Sequence, residues 1–252
     1  MRKRLILLAT VVMAVCIGLS VPADAIMLVT RSQEVAIGKQ VEESMIKEYG
    51  GLSNDKALTE RVARVGKAVS TMSPRKDITY TFKVVNSDEV NAFAAPGGPV
   101  VITKKLANML KTDGELAFVL AHETGHIAAQ HGRKAINQAL IAQNVAALLL
   151  RNSGDAARMG ANVMYTLYTR GYSRDQEYEA DTYGYQLMTK AGYNADDGVK
   201  ALAKLGMRRA TGVNKYLATH PDIPDRIDRI AKMGSIPDDR KKVLIEQAQA
   251  DK

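Results

Sequence analysis

The sequence predicts an α+β fold, mostly helical, with a small antiparallel sheet packed on one central helix. Three observations lead there. Long segments carry apolar residues at the period of an α-helix. Only two short runs, 78–85 and 95–103, have strand chemistry. No internal repeat or low-complexity tract interrupts the 252 residues, a length that suits one domain with a substantial core.

The N-terminus reads as an export signal. Arg2, Lys3 and Arg4 precede the apolar run "LILLATVVMAVCIGL", and "ADA" at 23–25 is an A-x-A cleavage site. The division expected is a signal peptide at 1–25, one domain at 26–235 and a charged C-terminal tail at 236–252. The apolar run is short for a membrane span, which makes an uncleaved anchor the weaker alternative. Cys16 is the single cysteine and lies within the signal, so a cleaved chain holds no disulfide and depends on its core. The formal charge of +8 allows peripheral contact with an anionic membrane. Lysines and arginines are spread along the chain, and no basic patch interleaved with aromatics appears, which argues against nucleic acid as a partner. Nothing in the sequence sets an oligomeric state.

Segments 31–49 and 54–72 have helical periodicity, the second capped by Asn54 or Asp55. "ITYTFKVV" at 78–85 alternates and reads as a strand, and "APGGPVVIT" at 95–103 reads as a turn into a second strand. A helix follows, with Thr112 and Glu115 as a capping box and Asp113 in the first turn. Leu116, Val119, Leu120 and Ile127 give it an apolar face, and Gly132 is a plausible stop. Beyond it, "KAINQALIAQNVAALLL" at 134–150 is apolar but carries Asn137, Gln138, Gln143 and Asn144. It suits a half-buried helix or a surface for partner or membrane contact better than a span. A loop at 152–155 and helices near 156–168, 173–191 and 195–210 complete the pattern.

The central helix carries "LAHETGHIAAQHG", with three of the four histidines. At about 100° per residue, His126 lies one turn along the helix from His122 and on the same side, so both rings can reach one point. His122-Glu123-Thr124-Gly125-His126 fits HExxH, in which two histidines bind zinc and the glutamate between them is a general base. His131 falls about 180° from His122 on the same helix and is expected to face away. The metzincin pattern fails, because Ala129 and Gly132 stand where a glycine and a histidine are needed. A third ligand must come from elsewhere. "YSRDQEYEADTYGYQLM" at 172–188 offers Asp175, Glu177, Glu179 and Asp181. Glu177 and Asp181 share a helical face while Glu179 points away. One of the pair can bind zinc while the other accepts the free N–H of a histidine ligand.

The blocks "NAFAAPGGPVVIT", "ELAFVLAHETGHIAAQH", "YSRDQEYEADTYG" and "THPDIPDRI" occur in one order and together resemble a gluzincin family. It comprises the zinc metallopeptidases that include the CAAX prenyl endopeptidase, the bacterial inner-membrane heat-shock protease and periplasmic peptidases of outer-membrane quality control. With no apolar span after the N-terminal run, the chain is most similar to the periplasmic branch. The resemblance implies a zincin-like metallopeptidase domain with one Zn2+ per chain, held by His122, His126 and Glu177. It implies Glu123 as general base acting on a zinc-bound water, and Asp181 as the acid behind a metal histidine. His220, in the "THP" block, is placed near the metal among the catalytic residues. It would either donate to the oxyanion or fill zinc's fourth position and hold the enzyme latent. Latency is favoured for an exported protease surrounded by proteins it must spare. Arg226 is expected to pair with a carboxylate. Gly97 and Gly98, which permit close backbone approach, and Val100 and Val101, on an expected exposed edge strand, form the implied substrate cradle. The implied substrates are misfolded or unassembled envelope proteins. The alternative is a chaperone-like periplasmic binding protein with a latent or vestigial zinc site.

Overall fold

The computed structural model describes residues 28–142, 162–167, 171–206 and 215–251. The signal at 1–25, the second half of the apolar 134–150 segment and the loop at 152–155 lie outside the described residues. None of the described helices is long and apolar enough to cross a membrane.

Two helices open the fold, α1 (Arg31–Glu48) and α2 (Lys56–Thr71). Thr30 caps α1 in a capping box with Gln33, and Asp55 caps α2 through the Leu58 amide. Then come β1 (Thr81–Val85), β2 (Ala92–Ala94) and β3 (Pro99–Thr103), and a short α3 (Lys104–Met109). The motif helix α4 spans Asp113–Ala128, and α5 spans His131–Ala142. Residues 162–167 are helical. The remainder is α6 (Arg174–Lys190), α7 (Ala195–Gly206), α8 (Lys215–Thr219), α9 (Ile223–Met233) and α10 (Asp238–Ala250).

The sheet has the order β1-β3-β2 and is mixed, where the sequence suggested an antiparallel pair. β1 runs parallel to β3, with Thr81 opposite Pro99 and Val85 opposite Thr103. β2 is antiparallel to β3, with Ala92 opposite Ile102 and Ala94 opposite Val100. The reason is the unexpected β2. From β1 the chain crosses to the far edge, forms β2 there, and returns through the turn at Ala95–Gly98 into the central position.

That position corrects the expected cradle. Val100 and Val101 are buried in a central strand, one in each of the two apolar clusters that flank the sheet, so neither lies on an exposed edge. Gly97 and Gly98 do permit close approach, but to the protein's own backbone. Their φ angles are +77° and +126°. A Cβ on Gly97 would stand 2.6 Å from the Val35 Cα, and one on Gly98 would stand 2.1 Å from the Thr79 carbonyl oxygen.

Helix α4 forms the centre of the molecule, and every residue from Gly114 to Ala128 is buried. The capping box expected at its start is present: the Glu115 amide donates to Thr112 Oγ1, and the Thr112 amide donates to Glu115 Oε2. Glu115 also meets Lys204 of α7 at 2.8 Å, and Lys204 reaches Asp251 at 2.9 Å. Within the expected charged tail, Asp238–Ala250 forms α10, which buries Leu244 and Ala248.

Helix α6 crosses α4 at a contact made by small residues. A Cβ on Gly125 would meet the Ala180 carbonyl oxygen at 2.9 Å and the Tyr183 Cβ at 2.8 Å. A Cβ on Gly184 would lie 3.3 Å from the His122 backbone. Absent side chains on both helices let the two axes approach, and that brings the acidic face of α6 onto the histidine face of α4.

Candidate metal centre

Four side chains from three elements converge. His122 and His126 come from α4, Glu177 from the first turn of α6, and His220 from the residue after α8. One ligand atom from each lies within 4.8 Å of every other, and all four residues are buried. The Nε2 atoms of His122 and His126 are 3.1 Å apart. Glu177 Oε2 is 3.5 Å from His122 Nε2, and its Oε1 is 3.3 Å from His126 Nε2. His220 Nδ1 is 3.3 Å from His122 Nε2 and 2.9 Å from Glu177 Oε1. Metal bonds of about 2.0–2.1 Å in a tetrahedron separate neighbouring ligand atoms by about 3.3 Å, so the cluster has the dimensions and the N/O donors that zinc takes.

Charge around the cluster is arranged by burial and by Arg226. Burial pushes the His126 ring well below the ordinary histidine range, which leaves it in the neutral form that ligates. Burial opposes the Glu177 charge, but His220 and Arg226 outweigh it and hold that carboxyl well below its usual value. His220 is raised: burial works against its charge, while Glu177 and Glu123 favour it more strongly. Arg226 is fully buried. Its Nε and Nη2 each donate to Asp181 at 2.8 Å, and its Nη1 lies 3.1 Å from Glu177. The expectation of a carboxylate partner for Arg226 thus fits the geometry, with two partners in place of one.

Asp181 accepts the Nδ1–H of His122 at 2.9 Å. That fixes the proton on Nδ1 and leaves Nε2 facing the cluster. Glu123 lies beside the four residues. Both of its carboxylate oxygens are buried and have no hydrogen-bond partner among the described residues. Its nearest charged neighbour is His220 Nε2, at 3.6 Å. Burial is the main cause that raises its pKa. A buried, unpartnered carboxylate is costly unless something else meets it. A water held between Glu123 and an ion in the cluster would meet that need, so the residues present fit a metal.

Several neighbours of the cluster carry little or no signal in the sequence. Tyr172 stacks on His126, with ring centroids 4.0 Å apart and planes 21° apart. Tyr216 stacks on His220 at 4.3 Å. Tyr172 stands directly before the Ser173 cap of α6, a signal available in sequence; Tyr216 carried none. His131 was expected to face away, yet its Nδ1 lies 2.8 Å from His126 Nδ1. The expectation assumed an unbroken helix. Instead α4 ends at Ala128, and Gln130 adopts a φ of +60°. The chain therefore reverses and α5 begins with His131 tucked beside His126. Glu179, which the helical period turns away from Glu177 and Asp181, meets His131 at 3.1 Å.

A small cavity of about 20 Å³ lies beside the cluster, its lining including Met45 of α1, Ala92, Phe93 and Ala94 of β2, and Glu123 and His220. Gly97, Gly98, Val100 and Val101 are absent from its lining.

Residues 54–234 match peptidase family M48. The chain is 33% identical over 167 residues to the mitochondrial metalloendopeptidase OMA1 of Arabidopsis thaliana, covering 66% of this chain and 34% of that protein. It is 26% identical over 239 residues to the β-barrel assembly-enhancing protease of Escherichia coli (strain K12), covering 85% and 49%. It is 32% identical over 206 residues to the OMA1 metalloendopeptidase of Schizosaccharomyces pombe, covering 78% and 60%. The chain thus spans 34% to 60% of the length of these relatives.

Proposed function

Because the chain belongs to peptidase family M48, we propose that it is a zinc-dependent endopeptidase of the bacterial cell envelope that cleaves misfolded or unassembled proteins. The observation that carries this reading is the Glu123 carboxylate, buried and unpartnered among the described residues, beside a set of three histidines and one glutamate. A zinc site that only holds the fold needs no such base.

His122, His126 and Glu177 would hold one zinc per chain, with Asp181 orienting His122. Such an ion would supply a Lewis acid that eases loss of a proton from the attacking water. Glu123 accepts the proton of the attacking water as its oxygen bonds to the scissile carbonyl carbon. The carbon–nitrogen bond then breaks, and Glu123 passes that proton to the leaving amine. The edge position of β2, which lines the small cavity at Glu123, supports an extended peptide held mainly through its backbone, a mode with weak selectivity for side chains. That suits unfolded substrates. It also moves the cradle from β3, where the sequence suggested it, to the edge strand β2.

The envelope location rests on the N-terminal export pattern, and the substrate class on the similarity to the β-barrel assembly-enhancing protease of Escherichia coli. Peripheral membrane contact remains part of the proposal, although Ile136 and Leu140 of the apolar segment are buried and take no part in it.

His220 supports a latent resting state. What supports it is that His220 Nδ1 lies 3.3 Å from His122 Nε2 and 2.9 Å from Glu177 Oε1, with Tyr216 stacked on the ring. The same observation favours a second reading, a binding protein with a closed zinc site. Digestion of a reduced, unfolded protein by the purified chain separates them. The expected result is cleavage that a chelator abolishes and zinc restores, and that rises in His220→Ala. A fall in His220→Ala of about 10²-fold would instead assign His220 to the oxyanion. Glu123→Gln should keep its zinc and lose about 10²- to 10⁴-fold in turnover. No cleavage by the parent or by His220→Ala would favour the binding protein, and near-normal turnover in Glu123→Gln would remove the base.

A further inference from the structure

Two buried histidines face the cluster from α4, and each needs its second ring nitrogen satisfied. His122 finds a carboxylate. His126 finds another histidine: His131, 1% exposed, whose Nδ1 lies 2.8 Å from His126 Nδ1. On its other side, His131 Nε2 lies 3.1 Å from Glu179 Oε2.

A ligating His126 keeps the lone pair of Nε2, which faces His122 and Glu177, for the metal and carries its proton on Nδ1. In that state the Nδ1–H donates to His131 Nδ1, and the His131 Nε2–H donates to the Glu179 carboxylate. Each link fixes the tautomer of the next, and the negative charge at the outer end makes His126 Nε2 a better donor to an ion. The backbone serves this arrangement. Gln130, a non-glycine residue at φ +60°, turns the chain so that the first residue of α5 returns to the end of α4. A left-handed conformation at such a residue is uncommon and marks a place where the surrounding structure imposes it.

We propose that His131 and Glu179 are positioning residues for the metal: His131 orients His126 as a zinc ligand, and Glu179 fixes the tautomer of His131. The inference rests on the reading of His126 as a ligand. Neither residue lies in the ligand set.

The test measures zinc affinity of the metal-free full chain by competition with a chromogenic chelator, together with the visible spectrum of the cobalt-substituted protein. His131→Leu removes the acceptor and keeps the packing volume; it is expected to lose about 10- to 100-fold in affinity and to shift the cobalt bands. His131→Asn can place its amide oxygen near the position of Nδ1 and should recover most of that loss. Glu179→Ala should weaken zinc by about 10-fold in the parent and by nothing further in the His131→Asn background, where the link to it is cut. Parent-like affinity in His131→Leu, or equal losses in the Leu and Asn variants, would overturn the proposal. Should His131→Leu fail to fold, the half-exposed Glu179 decides: an unchanged affinity in Glu179→Ala overturns it as well. A parent chain that takes up no zinc would instead defeat the ligand assignment itself.

Discussion

The two sides of the metal centre hold similar rings in different ways. On the His122 side the partner is Asp181, fully enclosed and clamped by a fully buried Arg226 that also reaches Glu177. On the His126 side the partner is His131, and the charge behind it is Glu179, whose side chain is 48% exposed. The first side is a dry ion network in which every charge depends on another. The second is a relay that ends in solvent. The difference teaches where the fold is committed. The His122 network is part of the core and has to form as the protein folds. Of the His126 relay only the Glu179 end is open to solvent, since His131 is itself buried.

Removing Arg226 should break the comparison most severely. Arg226→Met leaves Asp181 and Glu177 as buried charges without their cation, and breaking a buried pair of this kind costs about 3–5 kcal/mol. Urea unfolding of the metal-free protein should show that loss; a change below about 1 kcal/mol would show that solvent reaches the network. Next in size, Asp181→Asn keeps an acceptor for His122 but removes the charge. It should weaken zinc by about 100-fold, against about 10-fold for Glu179→Ala, the two ends of the usual range for partners of metal histidines. Chelator competition measures both, and equal losses would show that exposure of the carboxylate does not matter. Third, Tyr172→Leu tests the stacked face of His126. It should cost about 0.5–1.5 kcal/mol in unfolding free energy, the usual worth of a stacked pair beyond its area.

The smallest effect lies away from the metal, at Asp113 in the first turn of α4. Burial works against its charge, but Arg61 and Arg64, each at 2.8 Å, hold its carboxyl below the ordinary aspartate value. A lowered folded value means that the stabilisation is present above the unfolded pKa of about 3.9 and is lost as pH falls through the folded one. Asp113→Asn should therefore flatten the loss of stability with acid below about pH 4. The pair is partly exposed, so the effect at neutral pH should stay under about 1 kcal/mol. A pH series of denaturation curves for parent and variant checks it.

Much of the centre was legible because it is built from local periodicity. The His122–His126 spacing, the Thr112–Glu115 cap and the Glu177–Asp181 spacing are each properties of one helix. What the sequence hid depends on where a helix stops or how strands assemble. Gln130 carries no glycine signal for the left-handed turn it adopts, so His131 was extrapolated to the wrong side. Ala92–Ala94 is too short to alternate, and without it the sheet could not be read as mixed or β3 as central. Helix α9 starts behind an Asp222 that is itself left-handed and gives no side-chain cap. Helix α10 buries few residues in a charged run, so its period was hard to see.

The glycine crossing of α4 and α6 sets how the centre tolerates change. Side chains between two helices act as springs, since a larger or smaller residue can be absorbed by a rotamer. At Gly125 little of that spring is left, because the helix there rests on the Ala180 backbone and on the Tyr183 Cβ, neither of which a rotamer change can move. Glu177 and Asp181 are therefore mounted on α6 at a fixed offset from His122 and His126, with little compliance along the line that separates them. A single methyl group added at Gly125 would act as a shim. It would lift both carboxylates away from both histidines at once while leaving every residue with metal chemistry in place.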